Sequence, residues 1–118
     1  MKSYIDSEIR QLAAYPSFVD DQSEKTCPVC RKVSVRAYVY EASRAGRPVL
    51  FWRTWCFHCR RMCSSVGVKP KWLTFSDPFA QMTQDERRVL SADSDGFFDR
   101  LDQLWRKGTL PQEFHFST

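Results

Sequence analysis

Two Cys-x-x-Cys pairs constrain the fold of this chain more than any other feature. They are Cys27-Pro28-Val29-Cys30 and Cys56-Phe57-His58-Cys59, and 25 residues separate them. Each turn places two thiolates on one side of a tight knuckle, and two knuckles at the end of a β-hairpin can surround one Zn²⁺ at about 2.3 Å per sulfur. Four thiolates leave no coordination position for water, so the pattern predicts one structural ion rather than a catalytic one. The expected ligands are Cys27, Cys30, Cys56 and Cys59.

Two other residues could in principle replace one of these thiolates. His58 lies inside the second knuckle, where a side chain usually points away from the metal, and Cys63 lies four residues beyond Cys59. We rank both below Cys59, because a small buried thiol on the following strand is the commoner role for Cys63. A disulfide framework is less favoured, since the cysteine count of five is odd. A thioredoxin-like redox site is also disfavoured, because it would need one Cys-x-x-Cys between a strand and a helix, whereas here two pairs bracket an apparent hairpin.

The composition fits a single domain over residues 1–118. The chain is 42% hydrophobic and 14% aromatic, and large aromatic side chains make a small core fixed by zinc physically reasonable. No stretch approaches the roughly 20 apolar residues of a membrane span, and residues 1–4 lack the apolar centre of a signal peptide. The expected location is the cytoplasm.

The pattern of apolar residues predicts an α+β fold in three parts. A helical stripe follows a possible cap at Ser3 and stops before Pro16; it consists of Ile5, Ile9, Leu12 and Ala13. The polar, acidic residues that follow read as a connection into the first knuckle. The three parts are an N-terminal helix (1–16), a zinc ribbon (25–72) and a helical C-terminal part (77–108).

Alternation of side chains predicts the strands of the ribbon. From Lys32 to Glu41, Val and Ala alternate with Ser, Arg and Tyr, which indicates a half-buried strand. A turn over 42–48 leads to a return strand, Val49–Cys56, and a third strand is expected at Arg61–Val66. The fold predicted is an antiparallel zinc-ribbon hairpin or three-stranded sheet, with helices from both ends of the chain packed on it.

The C-terminal part changes to a helical period. Asp77-Pro78 has the form of a helix start and Thr83-Gln84-Asp85-Glu86 that of a capping box, so one or two helices are expected up to Ser91. A last helix is predicted after a cap at Asp95, with Gly108 and Pro111 as stop signals. Its apolar stripe consists of Phe97, Phe98, Leu101, Leu104 and Trp105.

Charge is distributed unevenly along the chain. Residues 31–71 contain ten basic residues and one acidic residue, a formal charge of +9, whereas the other segments carry eight basic and thirteen acidic residues, or −5. Four thiolates around Zn²⁺ contribute about −2 and offset only part of this excess. The ribbon is therefore expected to bind an anionic partner, unless the acidic helices dock on it internally.

The ribbon resembles a group of small bacterial zinc-ribbon proteins, some of them immunity proteins of polymorphic toxin systems. The likeness covers about residues 25–72. It rests on the first knuckle, the run from Val35 to Glu41, the run from Trp52 to Arg61 that contains the second knuckle, and the Lys69-Pro70-Lys71-Trp72 end. The resemblance implies a cytoplasmic inhibitor that occludes a partner toxin and has no catalytic residues of its own.

Two functions therefore compete for the same surface. In an inhibitor, Arg and aromatic side chains would form the interface with the partner protein, since these types dominate binding hot spots; the candidates are Arg36, Tyr38, Trp52, Arg53, Arg60 and Arg61. In a nucleic-acid-binding protein, basic side chains would contact phosphates while exposed rings stack on bases; these candidates are Arg31, Lys32, Arg44, Arg47, Arg60 and Arg61.

An enzyme is the least favoured class. The sequence offers no Ser-His-Asp set, no phosphate-binding Gly loop and no metal site with an open position. His115, close to the C-terminus, is expected to be a surface residue.

Overall fold

The computed structural model describes residues 2–117, apart from the side chain of Ser91. The fold is α+β, as predicted, and the chain divides into two compact units that we name the sheet unit (Met1–Lys69) and the helical unit (Pro70–Thr118). That the chain forms a single domain stays a prediction. In order, the elements are β1 (Lys2–Ser3), α1 (Asp6–Ala13), β2 (Lys25–Thr26), β3 (Val33–Arg44), β4 (Arg47–Cys56), β5 (Arg61–Val68), β6 (Leu73–Phe75), α2 (Gln84–Ala92), α3 (Ser94–Arg106) and β7 (Phe114–Phe116).

The sheet unit contains a mixed five-stranded sheet in the order β1-β5-β4-β3-β2. Its centre is the predicted antiparallel arrangement of β3, β4 and β5, with the third strand extended to Val68. Two edge strands were not predicted: β1 pairs parallel with β5, and β2 pairs antiparallel with β3. Each has only two residues, which is too short to show a period of two.

The turn between β3 and β4 is tighter than the predicted loop over 42–48. Only Ala45 and Gly46 separate the two strands, and both have positive φ, 50° and 76°. A two-residue turn of this kind matches the right-handed twist of the paired strands. The strands therefore remain paired as far as Arg44 and Arg47, and the hairpin tip lies at the opposite end from the cysteines.

Strand β3 is buried on both faces, so the prediction of a half-buried strand was wrong. Val35 and Val39 are buried as expected, but Tyr38 (1% exposed) and Arg36 (8% exposed) on the other face are buried as well. Val33, which shares a face with Val35 and Val39, is 64% exposed. Alternation alone therefore underestimates how much of this strand is covered.

The burial of Arg36 is explained by its neighbours within the sheet unit. Its Nε donates a hydrogen bond to Glu24 Oε2 at 3.2 Å, and its guanidinium lies 4.0 Å from the centre of the Phe57 ring. A buried cation is retained only when it is paired and desolvation is compensated. Glu24 lies in the polar, acidic segment that precedes the first knuckle, so its interaction with Arg36 links that segment to the sheet.

Helix α1 begins later than predicted. Ser3 lies in β1 rather than at a helix cap, and the helix begins after Ile5, whose N–H donates to Glu8 Oε1 at 2.9 Å. Of the predicted apolar stripe, Leu12 packs against the core of the sheet unit, whereas Ile5 and Ile9 are exposed. The helix ends before Pro16, as expected.

In the helical unit, one of the two predicted helix starts is confirmed. Thr83 caps α2 and its Oγ1 accepts a hydrogen bond from the Glu86 N–H at 3.1 Å. Asp77-Pro78, in contrast, forms a turn in which Asp77 Oδ1 accepts from the Phe79 N–H. An Asp-Pro pair stabilises a turn as readily as a first helical turn, and here the turn is formed.

Helix α3 begins two residues earlier than predicted. Asp93, not Asp95, is the cap, and its carboxylate accepts from the Gly96 N–H at 3.1 Å. The apolar stripe is confirmed, with Phe97, Phe98 and Leu101 buried, and Gly108 follows the helix at a φ of 80°. The pairing of β6 with β7 was not predicted. The packing of the C-terminal helices on the ribbon stays a prediction.

Candidate metal centre

The structure brings the four predicted ligand residues together at one end of the β3–β4 hairpin. Their Sγ atoms all lie within 4.8 Å of one another, although 25 residues separate the two pairs in the sequence. In the described part of the chain this is the single group of three or more His, Cys, Asp or Glu side chains so arranged. The four are Cys27, Cys30, Cys56 and Cys59.

The two knuckles have the same backbone geometry. The Cys27 carbonyl accepts from the Arg31 N–H at 3.0 Å, and the Cys56 carbonyl accepts from the Arg60 N–H at 3.1 Å. Arg31 and Arg60 have positive φ angles of 66° and 63°, a conformation that costs a non-glycine residue roughly 1–2 kcal/mol. The chain accepts this strain twice at equivalent positions, each time directly after a Cys-x-x-Cys turn.

Strand register holds the knuckles against each other. Val35 in β3 lies opposite Cys56 in β4, so the second knuckle begins beside the end of the first. The Cys27 N–H donates to the Lys32 carbonyl at 2.8 Å, and the Phe57 N–H donates to the Ser34 carbonyl at 3.1 Å. These backbone hydrogen bonds therefore help to place both pairs of sulfurs at one end of the hairpin.

The sulfur separations fit a tetrahedral ion. Cys27 Sγ lies 3.7 Å from Cys59 Sγ, and Cys30 Sγ lies 3.6 Å from Cys56 Sγ. A tetrahedron with zinc–sulfur bonds of about 2.3 Å has sulfur–sulfur edges of about 3.8 Å. A disulfide needs about 2.05 Å, and all five cysteines are free thiols. The donor set is therefore compatible with one zinc ion.

Two hydroxyl groups contact the sulfurs from outside this tetrahedron. The Tyr4 hydroxyl lies 3.0 Å from Cys27 Sγ, and Ser34 Oγ lies 3.0 Å from Cys56 Sγ. Donors of this kind orient metal ligands and stabilise their charge. The sequence analysis missed both, because neither stands at a spacing that marks it as a partner of a cysteine.

Backbone amides also face the thiols and affect their ionisation. Burial alone would raise the pKa of Cys27, but hydrogen bonds from the Tyr4 hydroxyl and from the N–H groups of Cys30 and Val29 outweigh it and lower that pKa to about 7. Burial, followed by the neighbouring Cys56 thiol, raises the pKa of Cys59 to about 12. The hydrogen bonds at Cys27 therefore favour its thiolate form, whereas burial at Cys59 favours its protonated form. A divalent cation favours the thiolate form of every ligand.

His58 and Cys63 lie outside the four-sulfur group. His58 is exposed at the turn of the second knuckle, and Cys63 lies in β5 opposite Thr54. Cys63 is half-buried against the core next to Tyr4 and Val35, and burial raises its pKa. Cys63 therefore lies on the following strand, as expected, but it is half-buried rather than buried.

The residues predicted to bind a partner occupy different environments. Arg36 and Tyr38 are buried, so neither side chain is exposed for binding in this structure. Trp52, Arg53, Arg60 and Arg61 are half-buried. Trp52 lines a groove between α1 and the sheet, whereas Arg53 Nη1 donates to Ser64 Oγ at 3.3 Å near the sheet edge.

Positive charge on the hairpin is concentrated at its two ends. Arg31 and Lys32 are exposed beside the knuckles, while Arg44 and Arg47 are exposed at the tip. Strand β3 has twelve residues, so about 35 Å separates the two groups at roughly 3.3 Å per residue. Two exposed basic patches therefore lie at opposite ends of the hairpin.

Comparison with family models, with curated proteins and with solved structures gave no significant match for this chain. None of the helices in the described part of the chain has the length and apolar character needed to cross a lipid bilayer. The function must therefore be inferred from the four-cysteine centre and from the surfaces around it.

Proposed function

We propose that this chain is a non-catalytic zinc-ribbon protein that acts by binding a partner, with one structural Zn²⁺ held by Cys27, Cys30, Cys56 and Cys59. The observation that carries the proposal is the closed ligand set. Cys27 and Cys56 are completely buried, and the four sulfurs account for all positions of a tetrahedral ion. An ion held in this way stabilises the fold and offers no position for substrate.

We further propose that the partner is a protein and that the chain is an immunity-type inhibitor that occludes a bacterial toxin in the cytoplasm. The resemblance of the ribbon to small bacterial zinc-ribbon proteins supports this function. So does the combination of basic groups with exposed apolar side chains such as Val66 and Val68. Trp52, Arg53, Arg60 and Arg61 remain candidates for the interface, from which Arg36 and Tyr38 are removed because they are buried.

The second candidate is nucleic-acid binding through the knuckle end of the hairpin. One observation favours it: each knuckle is followed by two basic residues, Arg31 with Lys32 and Arg60 with Arg61. Four cations at one end of a hairpin could neutralise several phosphates. Phe57, 39% exposed in the second knuckle, offers an aromatic ring beside them.

The test compares the two candidates on the same protein. The tagged, zinc-loaded chain is used to isolate partners from its native cell, and an isolated protein is then produced alone and together with the chain. We expect a one-to-one complex that survives physiological salt, and rescue of the growth of cells that produce the partner. Labelled DNA and RNA, single- and double-stranded, are titrated in parallel at low and near-physiological salt.

A double variant separates phosphate contacts from general charge. For nucleic-acid binding, Arg60→Ala with Arg61→Ala lowers the slope of log affinity against log salt by roughly one unit per lost phosphate contact. Arg106→Ala with Lys107→Ala, two exposed cations of the helical unit, is the matched control. Submicromolar nucleic-acid binding near physiological salt, without a one-to-one protein complex, would overturn the inhibitor proposal.

A further inference from the structure

The outer edge of β5 is open over most of its length. Strand β1 pairs with β5 only at Arg61 and Met62, and in the described part of the chain no strand pairs with that side beyond Met62. The Tyr4 N–H donates to the Met62 carbonyl at 2.9 Å, which identifies the outward-facing peptide groups. Because these groups alternate along a strand, the N–H and C=O of Ser64, Val66 and Val68 also face outward.

This edge lacks the features that usually prevent pairing with another chain. Natural edge strands are protected by lysine, proline, a bulge or a covering segment. Residues 64–68 of β5 read Ser-Ser-Val-Gly-Val, and they pair in regular register with β4. Val66 and Val68 are 43% and 84% exposed. An apolar edge of this kind offers both backbone hydrogen bonds and buried area to an added strand.

A groove lies beside the edge, on the face opposite Val66 and Val68. It has a volume of about 350 Å³ between α1, the segment that follows it, and the sheet. Strand β5 contributes Cys63, Ser64 and Ser65, whose small side chains leave the space open. Its apolar wall is formed by Ile9, Leu12, Phe18 and Trp52. One large apolar side chain of an added strand would be buried there.

The charges along the edge are positive. Arg61 lies in the part of β5 that β1 covers, Arg53 reaches Ser64 near the start of the open part, and Lys69 follows the last residue of β5. Lys2, in β1, lies opposite Arg61. Complementary charge on an added strand is therefore acidic.

We propose that the β5 edge binds an extended segment of the partner protein by β-augmentation, with an acidic residue at each end of the segment and one large apolar side chain in the groove. This inference rests on the proposed inhibitor function and specifies how its partner is recognised. A second copy of this chain does not fit. Its own β5 would present Cys63, Ser65 and Gly67 to the groove, which are too small to fill it, and would bring like charges together.

The probe is a labelled peptide, Asp-Thr-Val-Leu-Val-Thr-Glu, titrated against the zinc-loaded protein. We expect saturable binding that weakens about tenfold or more when the peptide's leucine is replaced by glycine, or when alternate peptide nitrogens are methylated. Ser65→Trp, which fills the groove, should weaken binding similarly. Val33→Lys, a change at an exposed valine of β3, is the matched control and should not.

Hydrogen exchange supplies a control within the same strand. Peptide binding should slow exchange of the Ser64, Val66 and Val68 amides, and leave Ser65 and Gly67, which face β4, unchanged. Absence of saturable binding, equal binding of the methylated peptide, or exchange protection elsewhere would overturn the proposal. If an isolated partner protein binds Ser65→Trp as tightly as the unchanged chain, the edge is not the recognition surface and the inhibitor function stands. If the peptide binds as expected but no partner protein exists, the edge proposal stands and the inhibitor function fails.

Discussion

The sheet unit contains a buried sulfur cluster that the described part of the helical unit lacks, although both units bury apolar side chains. The core cluster beside the metal centre consists of Tyr4, Val35 and two candidate ligands, Cys27 and Cys56. The buried apolar residues of the helical unit are Leu73, Phe79, Phe97, Phe98, Leu101 and Leu110, and the part of that unit described by the structure contains no cluster of metal-binding side chains. We therefore expect the sheet unit to depend on metal and pH, and the helical unit to depend on buried apolar area.

The largest effect should come from removing a ligand. Cys27→Ser or Cys59→Ser should abolish stoichiometric zinc binding and much of the cooperative unfolding transition of the sheet unit, because structural zinc supplies about 10–16 kcal/mol in small zinc proteins. Metal analysis and thermal melts measure both effects. Cys63→Ser is the control and should keep its zinc. Full metal content in the Cys27 and Cys59 variants would disprove the ligand set, and zinc loss in the Cys63 variant would place Cys63 in it.

Truncating a core side chain of the helical unit should lower the unfolding free energy without changing the zinc content. Leu101→Ala removes a completely buried side chain and should cost about 2–5 kcal/mol of unfolding free energy with no change in zinc content. Val89→Ala, at an exposed position of α2, should change stability by less than about 0.5 kcal/mol. Denaturant titration with metal analysis tests both. Zinc loss in the Leu101 variant would contradict the contrast between the units.

A smaller effect is expected from the hydroxyl that contacts Cys27. Tyr4→Phe keeps the ring but removes the hydroxyl, and zinc affinity measured against a competing chelator should fall about 10- to 100-fold. Tyr15→Phe, at an exposed tyrosine, should leave it unchanged. An unchanged affinity in Tyr4→Phe would show that the hydroxyl does not support the centre.

In the metal-free protein, Tyr4→Phe should also change how the unfolding free energy depends on pH. The pKa of Cys27 is lowered from 9.0 to about 7, so its contribution to folding is present above pH 9 and is lost as the pH falls through about 7. Without the Tyr4 hydroxyl the pKa of Cys27 should rise, and this dependence should weaken. Unfolding free energies across that range provide the measurement.

The smallest expected effect is an increase in stability. Arg31 has a φ of 66°, so Arg31→Gly relieves strain and should stabilise the zinc-loaded protein by about 1 kcal/mol. Lys32→Gly, one residue later, should instead destabilise it by roughly 0.5–1 kcal/mol, since glycine only adds freedom to the unfolded chain there. Equal effects of the two substitutions would show that the left-handed geometry after the knuckle carries little strain.

The centre was predictable where chemistry requires a fixed spacing. The spacing of two Cys-x-x-Cys turns predicted the four sulfurs that lie together. Cys63, which was ranked below Cys59 as a ligand, lies outside this group. Tyr4 and Ser34 could not be predicted, because a hydroxyl that contacts sulfur can come from any part of the fold. Tyr4 reaches Cys27 across 23 positions of sequence.

The fold was predictable in its long elements and less so at their ends. The strands β3 to β5 and helix α3 carry enough residues to show a period, whereas β1, β2, β6 and β7 have two or three residues each. Helix caps were misplaced at Ser3 and Asp95, since a capping residue is defined by the hydrogen bond it makes and several nearby polar residues can make it. The burial of Arg36 depends on Glu24, a residue in a segment without periodicity.

The two-residue turn at Ala45–Gly46 sets the order in which the sheet unit can assemble. Pairing residues next to the turn closes the shortest loop and therefore costs the least chain entropy. Pairing that starts at the turn joins Val35 to Cys56 late, because this pair lies at the far end of the hairpin. Until that pair forms, the two knuckles are not adjacent and an ion has no complete ligand set. We therefore expect zinc contacts to form late in folding, and interactions formed late slow unfolding more than they speed folding. The ion should then lengthen the time for which the sheet unit stays folded more than it changes how quickly the unit folds.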